Sequence, residues 1–310
     1  MMNSSRKAIQ QRFQRCLLIP KKTIRTFHQP AFVNNNPINA IPYSSSFSTS
    51  SFQPPSKNIY NAEAVYDNIQ IEDTDQTPTS LTRKNDPNAV YVVTGASRSM
   101  GLQYIKTLLE PSRTHPSSSI IACCRSPSTA TALTSYLQTL EPQIRERIEI
   151  QPLDITNDDD IDSLSTYIKE KHNRVDVLLN VAGVLGDSKN TPGPERNVKA
   201  LDRKWFQSQF EVNTIGPMML TKALSPFMKV SKKEMKAGTR AHSIVLNMSA
   251  RVGSIGDNVG GLGWHTYRMS KAALNMGTRT LAHELGRNGI WTIALYPGFT
   301  DTDMSVPFQR

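Results

Sequence analysis

Tyr267 and Lys271 stand four residues apart in the run TYRMSKAAL. Positions i and i+4 share one face of a helix, so an ammonium there can reach the phenol. A free phenol titrates near ~10, too high for efficient proton exchange at neutral pH. A cation beside it favours the phenolate and is expected to lower that value. Such a pair suits proton donation to a developing alkoxide. Upstream, the run TGASRSMG from Thr94 to Gly101 closes a short apolar stretch. Its glycines Gly95 and Gly101 let a backbone approach a pyrophosphate at a helix N-terminus, where free N–H groups and the dipole favour negative charge. In this order, the two motifs point to oxidoreduction.

Short apolar runs alternate with helical patterns from Ala89 onward. Strands are predicted at Ala89–Val93, Ser119–Cys124, Ile148–Leu153, Val175–Asn180, Ser243–Met248 and Trp291–Tyr296. Helices are predicted at Leu102–Leu109, Thr129–Leu140, Asp158–Lys171 and Tyr267–Leu285, with one or two more across Trp205–Lys229. Continuous apolar strands alternating with helices mean a parallel sheet covered on both faces, an α/β, Rossmann-type doubly wound domain. Ligands bind such sheets beyond the carboxyl ends of the strands, where the two motifs fall.

The chain of 310 residues carries a net charge of +10. Eight basic residues and no acidic one lie in Met1–Ala62, so most of the excess belongs to that segment. No basic stripe with interleaved aromatics follows, which argues against nucleic acid as a partner. The apolar runs are too short to span a bilayer. Ile9, Phe13 and Leu17 at helical spacing among Arg6, Lys7, Arg12 and Arg15 suit an organelle-import helix. Residues 1–62 are read as a mitochondrial (matrix) targeting and low-complexity segment, with a plastid signal or a simple basic tail of a cytoplasmic protein as alternatives. Residues 63–86 are read as a linker or strap, and 87–310 as the domain. Cys16, Cys123 and Cys124 lack ligand spacing for a metal, and the adjacent pair is expected to be packed thiols.

These residues resemble the short-chain dehydrogenase/reductase family, within it the carbonyl reductases grouped with the C-factor and sniffer proteins. The resemblance covers roughly 89–307 and rests on TGASRSMG, Leu153-Asp154-Ile155, Asn180-Val181-Ala182-Gly183, Asn213, the Ser249 region, Tyr267-x-x-x-Lys271 and Pro297-Gly298. It implies a catalytic set of Tyr267, Lys271, Ser249 and Asn213, with Asn213 supporting a water-mediated proton relay and Lys271 also binding the nicotinamide ribose. Cofactor contacts are implied for Gly95, Ser97, Arg98, Ser99, Met100, Gly101, Asp154, Asn180, Ala182, Gly183, Pro297, Gly298, Thr300 and Thr302. Three departures stand out. Ser99 replaces the family's third glycine, and Val181 replaces an asparagine. Ala250 holds the usual serine position, leaving Ser249 or Ser254 as the substrate-orienting hydroxyl, or none. The second strand ends in Cys124-Arg125 with no acid, so Arg125 and Arg98 are expected to grip a 2′-phosphate, favouring NADP(H) over NAD(H).

Trp264, His265 and the stretch Gly256–Gly263 are expected to border the pocket of an apolar or aromatic carbonyl substrate. The chain ends soon after the Pro297-Gly298 loop, where relatives continue into a further helix and a last strand that often joins subunits. A homo-oligomer is open. A non-catalytic NADP-binding or interaction protein, or a truncated fragment, is the competing reading.

Overall fold

Six short apolar runs lie side by side, all parallel, and four of them are buried on both faces. The computed structural model describes residues 78–186, 191–258, 260–261, 263–298, 300 and 302–304. The expected import helix, the low-complexity run and most of the linker fall outside these residues. The strands are β1 (Val90–Thr94), β2 (Ser119–Cys124), β3 (Ile148–Pro152), β4 (Val177–Asn180), β5 (Ser243–Met248) and β6 (Ile290–Leu295). Their order is β3-β2-β1-β4-β5-β6. The chain therefore winds outward from β1, returns to β4 and winds out the other way. This reversal opens a crevice between the carboxyl ends of β1 and β4.

The helices are α1 (Pro78–Lys84), α2 (Ser99–Leu108), α3 (Thr131–Gln138), α4 (Pro142–Arg145), α5 (Asp158–Lys171), α6 (Arg203–Phe210), α7 (Gly216–Met228), α8 (Lys232–Ala237) and α9 (His265–Leu285). On one face, α2 and α3 pack Ile105, Leu108 and Leu133 against Tyr91, Val93, Ala122, Leu179 and Leu246. On the other, α5, α7 and α9 pack Leu164, Ile168, Leu220, Leu224 and Leu285 against Val92, Ile121, Leu178 and Val245. Alternate residues of each strand thus feed two cores, which is why the runs read as continuously apolar. Cys123 and Cys124 are buried free thiols. Among the described residues, no helix is long and apolar enough to cross a membrane.

Three elements differ from the sequence reading. The stretch Trp205–Lys229 resolves into α6 and α7 joined by a π turn at Glu211–Ile215. Helix α8 is an addition, although Ser231 and Glu234 form the reciprocal capping box that its sequence encodes. Helix α1 lies within the expected linker. It is held by charge and not by an apolar stripe, so periodicity misses it.

That charge cluster closes the amino-terminal rim of the sheet. Asp176, only 3% exposed, accepts from Arg174 Nε at 2.7 Å, Arg240 Nε at 2.9 Å and the Val90 N–H at 2.9 Å. Arg174 also pairs with Asp86, and Arg83 donates to the His242 carbonyl. Removing the central carboxylate leaves two guanidinium groups without it. Asp176→Ala is expected to cost about 3–5 kcal/mol in urea unfolding. A loss below about 1 kcal/mol would mean that the cluster behaves as a solvated surface pair.

Candidate active site at the carboxyl rim of the sheet

Helix α9 carries both members of the Tyr/Lys pair, and side-chain bonds fix its height on the sheet. Asn247 Nδ2 donates to Thr278 Oγ1 at 2.8 Å, and Thr292 Oγ1 donates to the Thr278 carbonyl at 2.9 Å. Higher up, Ser249 Oγ bonds Asn275 Oδ1 at 2.6 Å, and Lys271 Nζ donates to the Met248 carbonyl at 2.8 Å. These bonds climb β5 to its carboxyl end and bring Tyr267 to the rim one helical turn above Lys271.

Burial sets the electrostatics of the pair. Desolvation lowers the Lys271 ammonium from 10.5 to about 7. The Tyr267 phenol is raised to about 12, by burial first and then by the neighbouring phenol of Tyr296. This corrects the expectation that the ammonium would lower the phenol. Lys271 Nζ lies 5.8 Å from the Tyr267 ring centroid, and the cost of burying either charge outweighs their mutual attraction.

Asn213 joins the pair from below. It is fully buried within the π turn. Its Oδ1 accepts the Val184 N–H at 2.8 Å, and its Nδ2 donates to the Val184 carbonyl at 2.8 Å and to Ser270 Oγ at 3.2 Å. A side chain on Gly183 would lie 3.2 Å from Asn213 Oδ1 and 3.6 Å from Lys271 Nζ. Gly183, Asn213 and Lys271 therefore converge. Ser249 is at the same rim, but its hydroxyl is engaged by Asn275.

The glycine turn faces this group across the switch point. Thr94 Oγ1 accepts the N–H groups of Val181 and Ala182 at 3.0 and 3.1 Å, tying the ends of β1 and β4 together. A methyl on Gly101 would stand 2.0 Å from the Gly95 carbonyl oxygen, so the turn closes only with glycine there. Ser99 adopts φ +48°, the left-handed region that its missing glycine would favour. Its hydroxyl and Arg98 both contact the Asp303 carboxylate, at 3.2 and 3.6 Å, in exposed positions. Ser97 is half-buried, and Met100 packs on the core. Arg125 is exposed just past β2. Asp154 accepts from the N–H and hydroxyl of Thr156 at 3.0 and 2.7 Å. Asn180 differs in placement: 2% exposed, it donates to Asn247 Oδ1 at 2.8 Å and ties β4 to β5. Its Nδ2 is thus engaged inside the sheet, while its Oδ1 is buried without a partner among the described residues. Pro297, Gly298, Thr300 and Thr302 follow β6, half-buried.

One residue of this region escapes the sequence reading. Glu195, 3% exposed, accepts from the Thr266 N–H at 3.3 Å and from its hydroxyl. Helix α9 lacks a side-chain cap of its own, because Trp264 precedes it in the left-handed conformation. A carboxylate from a distant loop therefore satisfies its first turn and suits its dipole. No local signal reveals a cap supplied across 71 residues. Trp264 sits edge-on to Tyr267, with ring centroids 6.3 Å apart.

With this geometry in place, comparison with known proteins is decisive for ancestry. The family model for short chain dehydrogenases matches residues 89–310. The chain belongs to the short chain dehydrogenase family. A 1-hydroxy-2-glutathionyl-2-methyl-3-butene dehydrogenase of Rhodococcus sp. (strain AD45) is 32% identical over 162 residues, covering 52% of this chain and 63% of that protein. The match thus spans less than two thirds of that relative. An NADPH-bound carbonyl reductase from chicken fatty liver aligns with a TM-score of 0.59 and 29% identity, covering 72% of this chain and 82% of that one. The carbonyl reductase Sniffer of D. melanogaster aligns equally well, at TM-score 0.59 and 29% identity over 70% and 83% of the two chains.

Two measurements check the geometry. The unfolded chain holds a proton on Lys271 up to pH 10.5, whereas the folded chain releases it near 7. Stability from this residue therefore rises with pH through that window, and its burial penalty is full below it. Urea unfolding from pH 7 to 9 should show a steeper rise for the wild type than for Lys271→Met; parallel curves would contradict the buried ammonium. Ser99→Gly should stabilise by about 1 kcal/mol by relieving the left-handed turn. A loss of stability would show that the Ser99–Asp303 contact outweighs that strain.

Proposed function

We propose that this short chain dehydrogenase is an NADP(H)-dependent oxidoreductase that reduces an aldehyde or ketone to the alcohol, or runs the reverse. The convergence of Tyr267, Lys271, Asn213 and Gly183 beside the glycine turn carries this reading. The turn fits a dinucleotide: Gly101 has no room for a side chain against Gly95, and Arg98 lies exposed at its end. Ser97, Ser99 and Gly101 would hold the pyrophosphate, and Asp154 the adenine. Ala182, Gly183 and Lys271 would hold the ribose of the nicotinamide, and Pro297, Gly298, Thr300 and Thr302 its carboxamide. Arg98 and Arg125 favour a 2′-phosphate, since charge-assisted bonds suit it and no acid follows β2. The NADPH in the chicken carbonyl reductase supports the choice.

When bound, the nicotinamide supplies or accepts the hydride. Tyr267 gives its phenolic proton to the substrate oxygen as charge develops there. Lys271, held near neutrality by burial, is brought to its charged form by the anionic cofactor and then stabilises the phenolate. Asn213 fixes Val184 and Ser270, and so the level of Lys271, and supports a water-mediated return of the proton. Trp264 offers an apolar wall, which suits an aromatic or alkyl carbonyl compound.

Tyr267→Phe is expected to lower NADPH-dependent turnover of aldehydes, ketones and quinones by at least about a hundredfold, with NADPH affinity unchanged. Full residual activity would refute the assignment. Arg125→Ala should weaken NADPH about tenfold and leave NADH unaffected; an unchanged preference counts against a phosphate grip. The engagement of Ser249 by Asn275, with Ala250 in the serine position, favours a second reading as a non-catalytic NADP-binding protein. A wild type that binds NADPH and oxidises none of it on that panel would support this alternative. Residues 1–62 are proposed to direct mitochondrial import, and a cytosolic reporter carrying residues 1–60 would overturn that.

A further inference from the structure

A carbonyl reductase needs a second hydroxyl donor to hold the substrate oxygen beside the tyrosine, and the serines at this rim are poorly placed to supply it. Ala250 has no hydroxyl, and Ser249 is turned onto Asn275 at 2.6 Å. Ser254 accepts the Asp257 N–H within its own exposed turn. On the oxidoreductase reading above, we infer that Tyr296 supplies this hydroxyl, donating a hydrogen bond to the substrate carbonyl oxygen while Tyr267 transfers the proton.

Strand register puts Tyr296 there. Met248 pairs with Leu295, and the Ser249 N–H donates to the Leu295 carbonyl at 2.8 Å. Tyr296 is therefore the neighbour of Ser249 at the carboxyl end of the sheet. Side chains alternate between faces along a strand. Ile290 packs into the core beneath α9 and Thr292 bonds α9 directly, so the same alternation turns Tyr296 toward α9. Ile293 and Leu295 pack on the opposite core.

Height agrees as well. The Thr292–Thr278 bond sets the two elements level. From there β6 climbs about 13 Å to Tyr296 at a strand's rise per residue. The antiparallel α9 climbs about 16 Å to Tyr267 at a helix's rise. A tyrosine side chain spans the difference. Tyr296 lies near enough to Tyr267 to add to burial in raising the Tyr267 phenol. Tyr296 is half-buried at the rim. A donor aimed at the developing oxyanion is worth most in such a partly desolvated site.

The test compares Tyr296→Phe and the double variant Tyr296→Phe/Ala250→Ser with wild type, using benzaldehyde and other carbonyl compounds that the wild type reduces. Tyr296→Phe should lose about a hundredfold in kcat/KM, mostly in kcat. NADPH affinity, read by protein fluorescence, and the thermal midpoint should stay unchanged. Ala250→Ser should restore at least about tenfold in the Tyr296→Phe background. Wild-type kcat/KM in Tyr296→Phe, or a loss that follows NADPH affinity or stability, overturns the inference and leaves the oxidoreductase reading standing. A wild type silent on every carbonyl overturns both.

Discussion

The site depends on the fixed height of one helix. Tyr267 and Lys271 both belong to α9, and nothing in their own spacing says where on the sheet they stand. Asn247, Ser249 and the Met248 carbonyl decide that from β5, with Thr292 acting from β6. Because polar groups make these bonds inside an otherwise apolar layer, a slip of α9 by one turn would strip the Asn247 amide N–H and the Lys271 ammonium of the acceptors they now have. That cost enforces the register more strictly than apolar packing, which tolerates sliding. Glu195 completes the arrangement at the helix's amino end, and Asn213 fixes Ser270, the residue before Lys271.

The same burial governs the chemistry. A lysine surrounded by protein and bonded to one carbonyl is not an ordinary cation, and a buried tyrosine resists ionisation. Each is therefore displaced toward its neutral form, and a nearby anion would favour the charged lysine while holding the phenol neutral. Such displacement at a rim that also holds a glycine turn marks a candidate site. Stability is given up locally for this, and the ion cluster around Asp176 at the opposite rim ties the sheet together.

Much of this was legible in the residues. The alternation of apolar runs and helical patterns yielded all six strands, with Ser243–Met248 and Asp158–Lys171 matching to the residue. Those elements are bounded by sharp polarity changes and, for the helix, by acids at its start. The motifs also located the rim. Long-range features stayed hidden. The π turn at Asn213 depends on packing against α9, and α1 depends on the bond from Arg83 to the distant His242 carbonyl. Glu195 caps a helix from far away in sequence. Asn180 reads as a rim residue from its motif, yet its amide is drawn inward by Asn247. For Tyr267, spacing alone indicated attraction to Lys271, whereas the stronger influence, desolvation, comes only from the surrounding fold.

The account rests on Lys271 standing largely uncharged above pH 7 in the folded chain and gaining a proton with the cofactor. Calorimetric titration with NADPH at pH 8, in buffers of different ionisation enthalpy, measures that proton directly. Uptake of about one proton per cofactor by the wild type, and almost none by Lys271→Met, is the expected result. Equal uptake by both chains, or none by either, would contradict it.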